Sequence, residues 1–249
     1  MNFTGKTIVI TGASRGIGLG IAKGFAEAGG ALHLLADDEQ VGAAASALGA
    51  TGHVIDITQA ASVTAFFETL PAVDVLINNA GLERLTPLDD MSEAAEITFR
   101  RIIEINITGT YLVTRAAVPK MPRGGRIIST SSVWGRVGEP LFGAYVASKH
   151  AIIGLTKTWA KELGPLGINV NAVAPGWVKT ESALRSLAYM AVRSQKPEDV
   201  LLNEILAGQA LPGLMEPDDM AGVYMLLASP YAATVTGQTL GADRGEVPW

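Results

Sequence analysis

The chain has 249 residues, 48% of them hydrophobic and 17% charged, with 19 basic and 24 acidic side chains and a formal net charge of −5. That length buries a core without cross-links, and the absence of cysteine excludes disulfides, thiol nucleophiles and thiolate metal sites. The acidic balance and scattered basic residues exclude a broad phosphate-backbone footprint, so no nucleic-acid partner is expected.

In chain order, Met1–Lys6 lacks the charged head, long apolar stretch and small-residue cleavage site of a leader, and a cytoplasmic location is expected. Short β-branched runs then alternate with Ala-rich helical stretches: strand Lys6–Thr11, helix Ile17–Ala28, strand Leu32–Ala36, helix Glu39–Leu48, strand His53–Ile55, helix Ala60–Leu70, strand Val73–Ile77. A helix over Ile97–Val118, a strand at Arg126–Ser129, a helix over Ala144–Leu163 and a strand at Asn169–Ala172 continue the pattern. Strands apolar nearly throughout belong to a parallel sheet covered on both faces. Right-handed crossovers then give an α/β fold, a Rossmann-like doubly wound sheet with helices on both sides. No repeat or linker divides the chain, so one domain spanning residues 1–249 is expected. The helical segment Glu181–Pro212, after the Pro175-Gly176 break, is expected to form a substrate lid. No run of about 18 uncharged apolar residues occurs, so no membrane span is expected. His33, His53 and His150 lie far apart in sequence without metal-ligand spacing, and no metal is expected.

Thr11-Gly12-Ala13-Ser14-Arg15-Gly16-Ile17-Gly18 joins the first strand to the first helix. Glycine there permits a tight turn and close approach of backbone N–H groups to a pyrophosphate, and the helix N-terminus adds a positive dipole end. Asp37, at the end of the second strand, has the spacing of a carboxylate that accepts from ribose hydroxyls and repels a 2′-phosphate. Asp38 adds to that repulsion, so NAD is favoured over NADP. Two alternatives stay open: Arg15 pairing with a 2′-phosphate, and Asp37 as the N-cap of the next helix.

Tyr145 and Lys149 are four apart on a predicted helix and so share a face. A phenol titrates near 10. Lowering that by about three units needs roughly 4 kcal/mol of preferential stabilisation of the phenolate, within reach of a buried cation together with an oxidised nicotinamide. Tyr145 would then serve as a base near neutral pH.

With these motifs, the chain resembles the classical short-chain dehydrogenase/reductase family over nearly its whole length. The resemblance rests on the glycine loop, Asn78-Asn79-Ala80-Gly81, Asn106, Ser132, Tyr145 with Lys149, and Pro175-Gly176, all in the family's order. It implies that Tyr145 exchanges the proton of a substrate hydroxyl while hydride passes between its carbon and a nicotinamide. It further implies that Ser132, 13 residues before Tyr145, donates to the developing oxygen, that Lys149 also holds the nicotinamide ribose, and that Asn106 keeps a water in a proton relay. For the cofactor it implies contacts from Gly12, Ser14, Arg15, Gly16, Ile17 and Gly18, from Asp56 and Ile57 at the adenine, from Asn79, Ala80 and Gly81 along the ribose, and from Pro175, Gly176, Val178 and Thr180 at the carboxamide.

The substrate is expected over Ser132 and Tyr145, walled by Glu83, Trp134, Phe142, Trp177, Leu184, Tyr189 and Met190. An apolar, aromatic wall with one carboxylate disfavours an anionic hydroxy acid and favours a neutral secondary alcohol or its ketone, whether cyclic, aromatic or a polyol. Apolar residues on several faces of the long helices, such as Ile152, Ile153, Leu155 and Trp159, together with the pairing of these helices in relatives, imply a homotetramer. Rival readings are an NADPH-dependent 3-oxoacyl thioester reductase and a non-catalytic dinucleotide-binding regulator, which would have no use for Ser132, Tyr145 and Lys149 in register. The tail, with Arg244 where the family has glycine, has no assigned role.

Overall fold

A computed structural model describes residues 1–248. Seven strands, β1 (Thr7–Thr11), β2 (Ala31–Ala36), β3 (Thr51–Val54), β4 (Val75–Asn78), β5 (Arg126–Thr130), β6 (Asn169–Pro175) and β7 (Thr239–Ala242), form one sheet in the order β3-β2-β1-β4-β5-β6-β7. Every pairing is parallel, with Ile8 opposite Leu32 on one side and Val75 on the other. The order reverses between β1 and β4, and there the strand ends open a crevice.

Alternate residues of one strand feed two cores, as the pleat requires. Ile8 and Ile10 pack with Ile21 and Phe25 of α1 (Gly16–Glu27) and Tyr224 and Leu227 of the helix at Ala221–Ala228. Val9 points the other way, toward Phe66, Phe67, Val113 and Trp159. Full burial of each such side chain stabilises by about 1.5–3 kcal/mol. The remaining helices include α2 (Gln40–Ala47), α3 (Ala60–Glu68), α4 (Glu93–Ile103), α5 (Thr110–Ala117), α6 (Gly143–Leu163), α7 (Glu181–Ser194) and α8 (Glu198–Leu206).

Three sequence expectations shift. The helix expected over Ile97–Val118 begins earlier, at Glu93, where the Ser92 hydroxyl accepts from the Ala95 N–H. It is then interrupted by a π-helical turn, Glu104–Gly109, which displaces Asn106 from regular α geometry. The strand expected to end at Ala172 runs on to Pro175, carrying the chain to the crevice mouth. His33 and His53, 20 residues apart, meet across β2 and β3 with Nδ1 and Nε2 3.1 Å apart, because parallel pairing brings distant segments side by side. Among the described residues no group of three or more potential ligands could hold a metal ion, and no helix is long and apolar enough to cross a membrane.

Candidate active site

At the switch point the C-terminal strand ends and the loops after them enclose a cleft of about 530 Å³. Its floor is the glycine loop. Gly12 and Gly16 take φ of +64° and +57°, which disfavours side-chain-bearing residues. A Cβ on Gly18 would stand 2.2 Å from the Gly12 carbonyl oxygen, so the loop folds back on α1 only because that side chain is missing. Arg15 precedes α1 without any side-chain capping bond, which leaves the first-turn N–H groups available to an anion. The Asn79 amide fastens the loop from β4, donating to the carbonyl oxygens of Thr11 and Gly12 at 3.2 and 3.1 Å.

Asp37 also lines the cleft, and the structure shows how the carboxylates and Arg15 around it are paired. It is Asp38, not Asp37, that turns to the next helix, accepting from the Gln40 N–H at 3.0 Å. Asp38 accepts as well from Ser14 Oγ at 2.9 Å and from Arg15 at 2.8 Å, while the Arg15 Nε lies 3.7 Å from Glu181. Arg15 thus pairs with carboxylates, and Asp37 faces the cleft without a hydrogen-bond or ion-pair partner among the described residues. Asp56 and Ile57 line the cleft beside it. The Asp56 carboxylate is engaged by the Thr58 N–H and hydroxyl and by Arg101, which together hold it below the ordinary carboxyl value against the opposing effect of burial.

At the other end, Ser132, Tyr145 and Lys149 converge. Strand β5 delivers Ser132 one residue after buried Ser131, whose hydroxyl is spent on the Lys149 carbonyl at 2.9 Å. The Ser132 hydroxyl lies near enough to the Tyr145 phenol to favour its ionised form, and Ser132 Oγ accepts from the Trp134 N–H at 3.1 Å. Lys149, one turn along α6, is buried. Its Nζ donates to the Thr130 carbonyl at 2.7 Å and lies 5.4 Å from the centre of the Tyr145 ring. Burial pushes Lys149 down to about 8.

The expected acidification of the phenol draws on Lys149 together with an oxidised nicotinamide, and the surrounding protein acts in the opposite direction. Burial raises the Tyr145 phenol above its ordinary value of 10, the charge of Glu83 raises it further, and the Ser132 hydroxyl only partly offsets them. Acidification therefore needs positive charge from a bound partner in the cleft.

Asn106 lies on the π turn. Its side chain is engaged by the protein, Oδ1 accepting from the Leu82 N–H at 2.7 Å and Nδ2 donating to the Leu82 carbonyl and Ser148 Oγ, which leaves Oδ1 one further acceptor position. The π turn and these bonds fix the loop that follows Gly81.

Of the cofactor residues inferred from sequence, Gly12, Ser14, Arg15, Gly16, Ile17, Asn79, Ala80, Gly81, Pro175, Gly176, Val178 and Thr180 line the cleft, and Gly18 lies beneath the loop. Thr180 also caps α7, its hydroxyl accepting from the Ala183 N–H at 3.1 Å. Of the substrate residues, Glu83, Trp134 and Trp177 line the cleft. Phe142 does not: it is fully buried behind Trp134, ring centres 4.7 Å apart. Leu184 and Tyr189 do not either, being 42% and 57% exposed on the outer face of α7, and Met190 packs among the buried aromatics. The lid turns Ser182 and Ala183 into the cleft instead.

Sequence reading also missed the tail. Arg244 adopts φ +54°, the left-handed region that favours glycine, and donates to the Pro212 carbonyl at the end of the lid. Glu246 accepts from the Trp177 N–H, and Val247 joins the cluster around Trp134 and Trp177. No local pattern in a seven-residue tail announces such contacts.

This geometry, a parallel sheet with a glycine-loop crevice and a serine, phenol and ammonium at its far end, defines a dinucleotide-binding oxidoreductase. Residues 12–246 match a family model described as enoyl-(acyl carrier protein) reductase. The chain is 41% identical to oxidoreductase UcpA of Salmonella typhimurium (97% of this chain, 94% of that one) and 32% identical to D-beta-hydroxybutyrate dehydrogenase of Rhizobium meliloti (96% and 98%). An NAD+-bound xylitol dehydrogenase structure superposes with a TM-score of 0.91 at 30% identity, covering 97% of this chain and 99% of that one. The chain belongs to the classical short-chain dehydrogenase/reductase family and is an oxidoreductase with its NAD(P)-binding Rossmann fold.

Proposed function

We propose that the protein interconverts a neutral secondary alcohol and its ketone with NAD, Tyr145 acting as general acid and base. The observation that carries this reading is the convergence of Ser132, Tyr145 and the buried Lys149, one helical turn along, in the same cleft as the glycine loop. The cradle fits a dinucleotide: Gly12, Gly16, Ile17 and the uncapped start of α1 would hold the pyrophosphate, Asp37 the adenosine ribose, and Pro175, Gly176, Val178 and Thr180 the carboxamide side. A bound nicotinamide supplies the hydride-accepting or hydride-donating carbon and, when oxidised, positive charge. Ser132 donates to the substrate oxygen, which orients it toward the phenol. Tyr145 takes the hydroxyl proton in oxidation and returns one in reduction, and Lys149 stabilises the phenolate. Asn106 acts by locking the Leu82 loop. Asp37, without a partner among the described residues while Arg15 pairs with Asp38, favours NAD over NADPH, and the xylitol dehydrogenase neighbour, which has NAD+ bound, supports that choice.

The chain acts as one domain, with α7 and α8 as the lid, in a cytoplasmic homotetramer. The tetramer rests on Ile97, Phe99 and Tyr111, which α4 and α5 leave 44–58% exposed; Ile152 and Trp159, counted toward it from sequence, are covered within the monomer. Sedimentation as a monomer at micromolar concentration would overturn it.

The test is NADH absorbance with a panel of neutral secondary alcohols and ketones. Tyr145→Phe is expected to lower kcat by about 10³-fold, within the range for a lost general acid–base group, while NADH affinity stays within about twofold of wild type. Undiminished turnover in that variant would sink the reading.

A further inference from the structure

The chemistry proposed above uses Ser132, Tyr145 and Lys149 and leaves a carboxylate beside them without a task. Glu83 stands two residues beyond Gly81, on the loop that Asn106 fixes, and lines the cleft together with Ser132, Tyr145 and Trp134. The lid grips it from one side. Ser182 Oγ donates to Oε2 at 3.0 Å, Ser186 supplies a second hydrogen bond, and Arg185 in turn donates to Ser182 Oγ at 2.9 Å. Burial raises the Glu83 carboxyl above its ordinary value, while the two serines and the charges of Arg185 and Arg84 partly counter that.

We infer that Glu83 accepts a hydrogen bond from a second substrate hydroxyl, adjacent to the reacting carbinol, and thereby selects neutral vicinal diols and polyols over mono-alcohols. This rests on the dehydrogenase reading and narrows its substrate class. An ionised carboxylate offers about four acceptor positions, and two serines leave others for the cleft. The groups around it choose the ligand's charge. A cationic substrate would meet Arg84 and Arg185 already opposing the same carboxylate, and an anionic one would be repelled by Glu83 itself, so a neutral O–H donor is the complement. A mono-alcohol presents C–H where the carboxylate needs a donor, and sites built to bond a hydroxyl reject analogues lacking it far more strongly than apolar pockets reject a missing methylene. The same contact serves the chemistry. A negative Glu83 opposes formation of the Tyr145 phenolate, and a donor from the substrate spreads that charge at the moment the proton leaves.

The experiment compares cis-1,2-cyclohexanediol with cyclohexanol as substrates in the NAD-supplied enzyme. It also follows quenching of Trp134 and Trp177 fluorescence by each compound in the presence of NADH. Wild type is expected to favour the diol at least tenfold in kcat/KM. Glu83→Gln, which keeps an acceptor, should retain part of that ratio, and Glu83→Met should bring it close to unity, chiefly through loss of diol turnover. Melting temperature and NADH affinity verify that each variant folds. A wild-type enzyme with no diol preference, or a Glu83→Met variant that lowers both substrates equally, overturns the inference and reduces Glu83 to a fastener for the lid. Cyclohexanol turnover in that case leaves the dehydrogenase reading standing. NADH binding without turnover of these compounds or of any member of the wider alcohol and ketone panel sinks the dehydrogenase reading instead, and diol-selective quenching that Glu83→Met abolishes then supports Glu83 separately.

Discussion

The two halves of the cleft are built by different physics. In the nucleotide half, backbone does the work: Gly12, Gly16 and Gly18 sit where a side chain would be strained or collide, Asn79 bonds to carbonyl oxygens, and the uncapped start of α1 offers N–H groups. In the substrate half, side chains from four separated segments meet: Glu83 after β4, Trp134 after β5, Trp177 after β6 and Ser182 on α7. Backbone requirements leave a trace at fixed spacing along the chain. Side chains assembled from afar do not. The nucleotide half should therefore fail abruptly on single-atom additions, whereas the substrate half should respond in proportion to which face of a helix is altered.

Away from the catalytic phenol, the largest effect is expected at Gly18. A Cβ there meets the Gly12 carbonyl oxygen at 2.2 Å, a backbone atom that cannot swing aside, so Gly18→Ala must push α1 away from the loop. NADH affinity should fall by about 100-fold or more, with a lower melting temperature, since the phosphate site is the gap being pushed open. Calorimetric titration with NADH checks this; an unchanged affinity would mean that the loop does not bind the dinucleotide.

Next comes cofactor choice. Asp37→Ala should lower the NAD to NADP ratio of kcat/KM by about tenfold, a change of about 1.4 kcal/mol. It should not invert the preference, because Asp38 still holds Arg15. Replacing both carboxylates frees the guanidinium for a 2′-phosphate, and the double variant is expected to prefer NADP. If it does not, Arg15 has no part in discrimination.

On the substrate side, Trp134→Ala removes a cleft wall packed on Phe142 and set 6.1 Å from Trp177. It should lower kcat/KM at least tenfold, whereas Tyr189→Ala, on the outer face of α7, should stay within twofold. Equal losses would show that the lid closes further than this conformation and brings Tyr189 to the substrate.

That contrast also explains what the sequence revealed. The parallel sheet, its order reversal, the glycine loop and the Ser132, Tyr145 and Lys149 set were legible because each rests on a local periodicity or on motif spacing. Leu184 and Tyr189 were misplaced because apolar residues near a pocket were assumed to line it. On α7, Leu187 and Ala191 do turn inward, but Ser182 and Ser186 share their side of the helix, and Leu184, Tyr189 and Val192 are left outside. The buried side of α7 is therefore mixed, serines beside Leu187 and Ala191, so apolar character alone does not say which residues turn inward. Phe142 was right in neighbourhood and wrong in depth, one layer behind Trp134. The π turn at Asn106 was not placed from sequence, since the β-branched residues and glycine of Glu104–Gly109 weaken a helix without saying which irregularity results.

The smallest effect is set by the tail. Glu246 holds the Trp177 N–H with one carboxylate oxygen buried and unpartnered, and burial, Asp243 and Glu139 raise its pKa from 4.5 to about 7. A folded pKa above the unfolded one means that the native state binds the proton more tightly, so this contribution to stability is complete below about pH 4.5. It declines as pH rises toward 7 and is lost above that. Melting temperature should accordingly fall by a few degrees across that window in wild type, on top of whatever other groups contribute. Glu246→Gln stays neutral and should remove that component of the slope, leaving the variant more stable than wild type at pH 8 and nearly equal at pH 4.5. Parallel slopes in the two proteins would mean that the carboxyl titrates normally, with Trp177 then held by the packing of Val247 and the neighbouring aromatics and not by this bond.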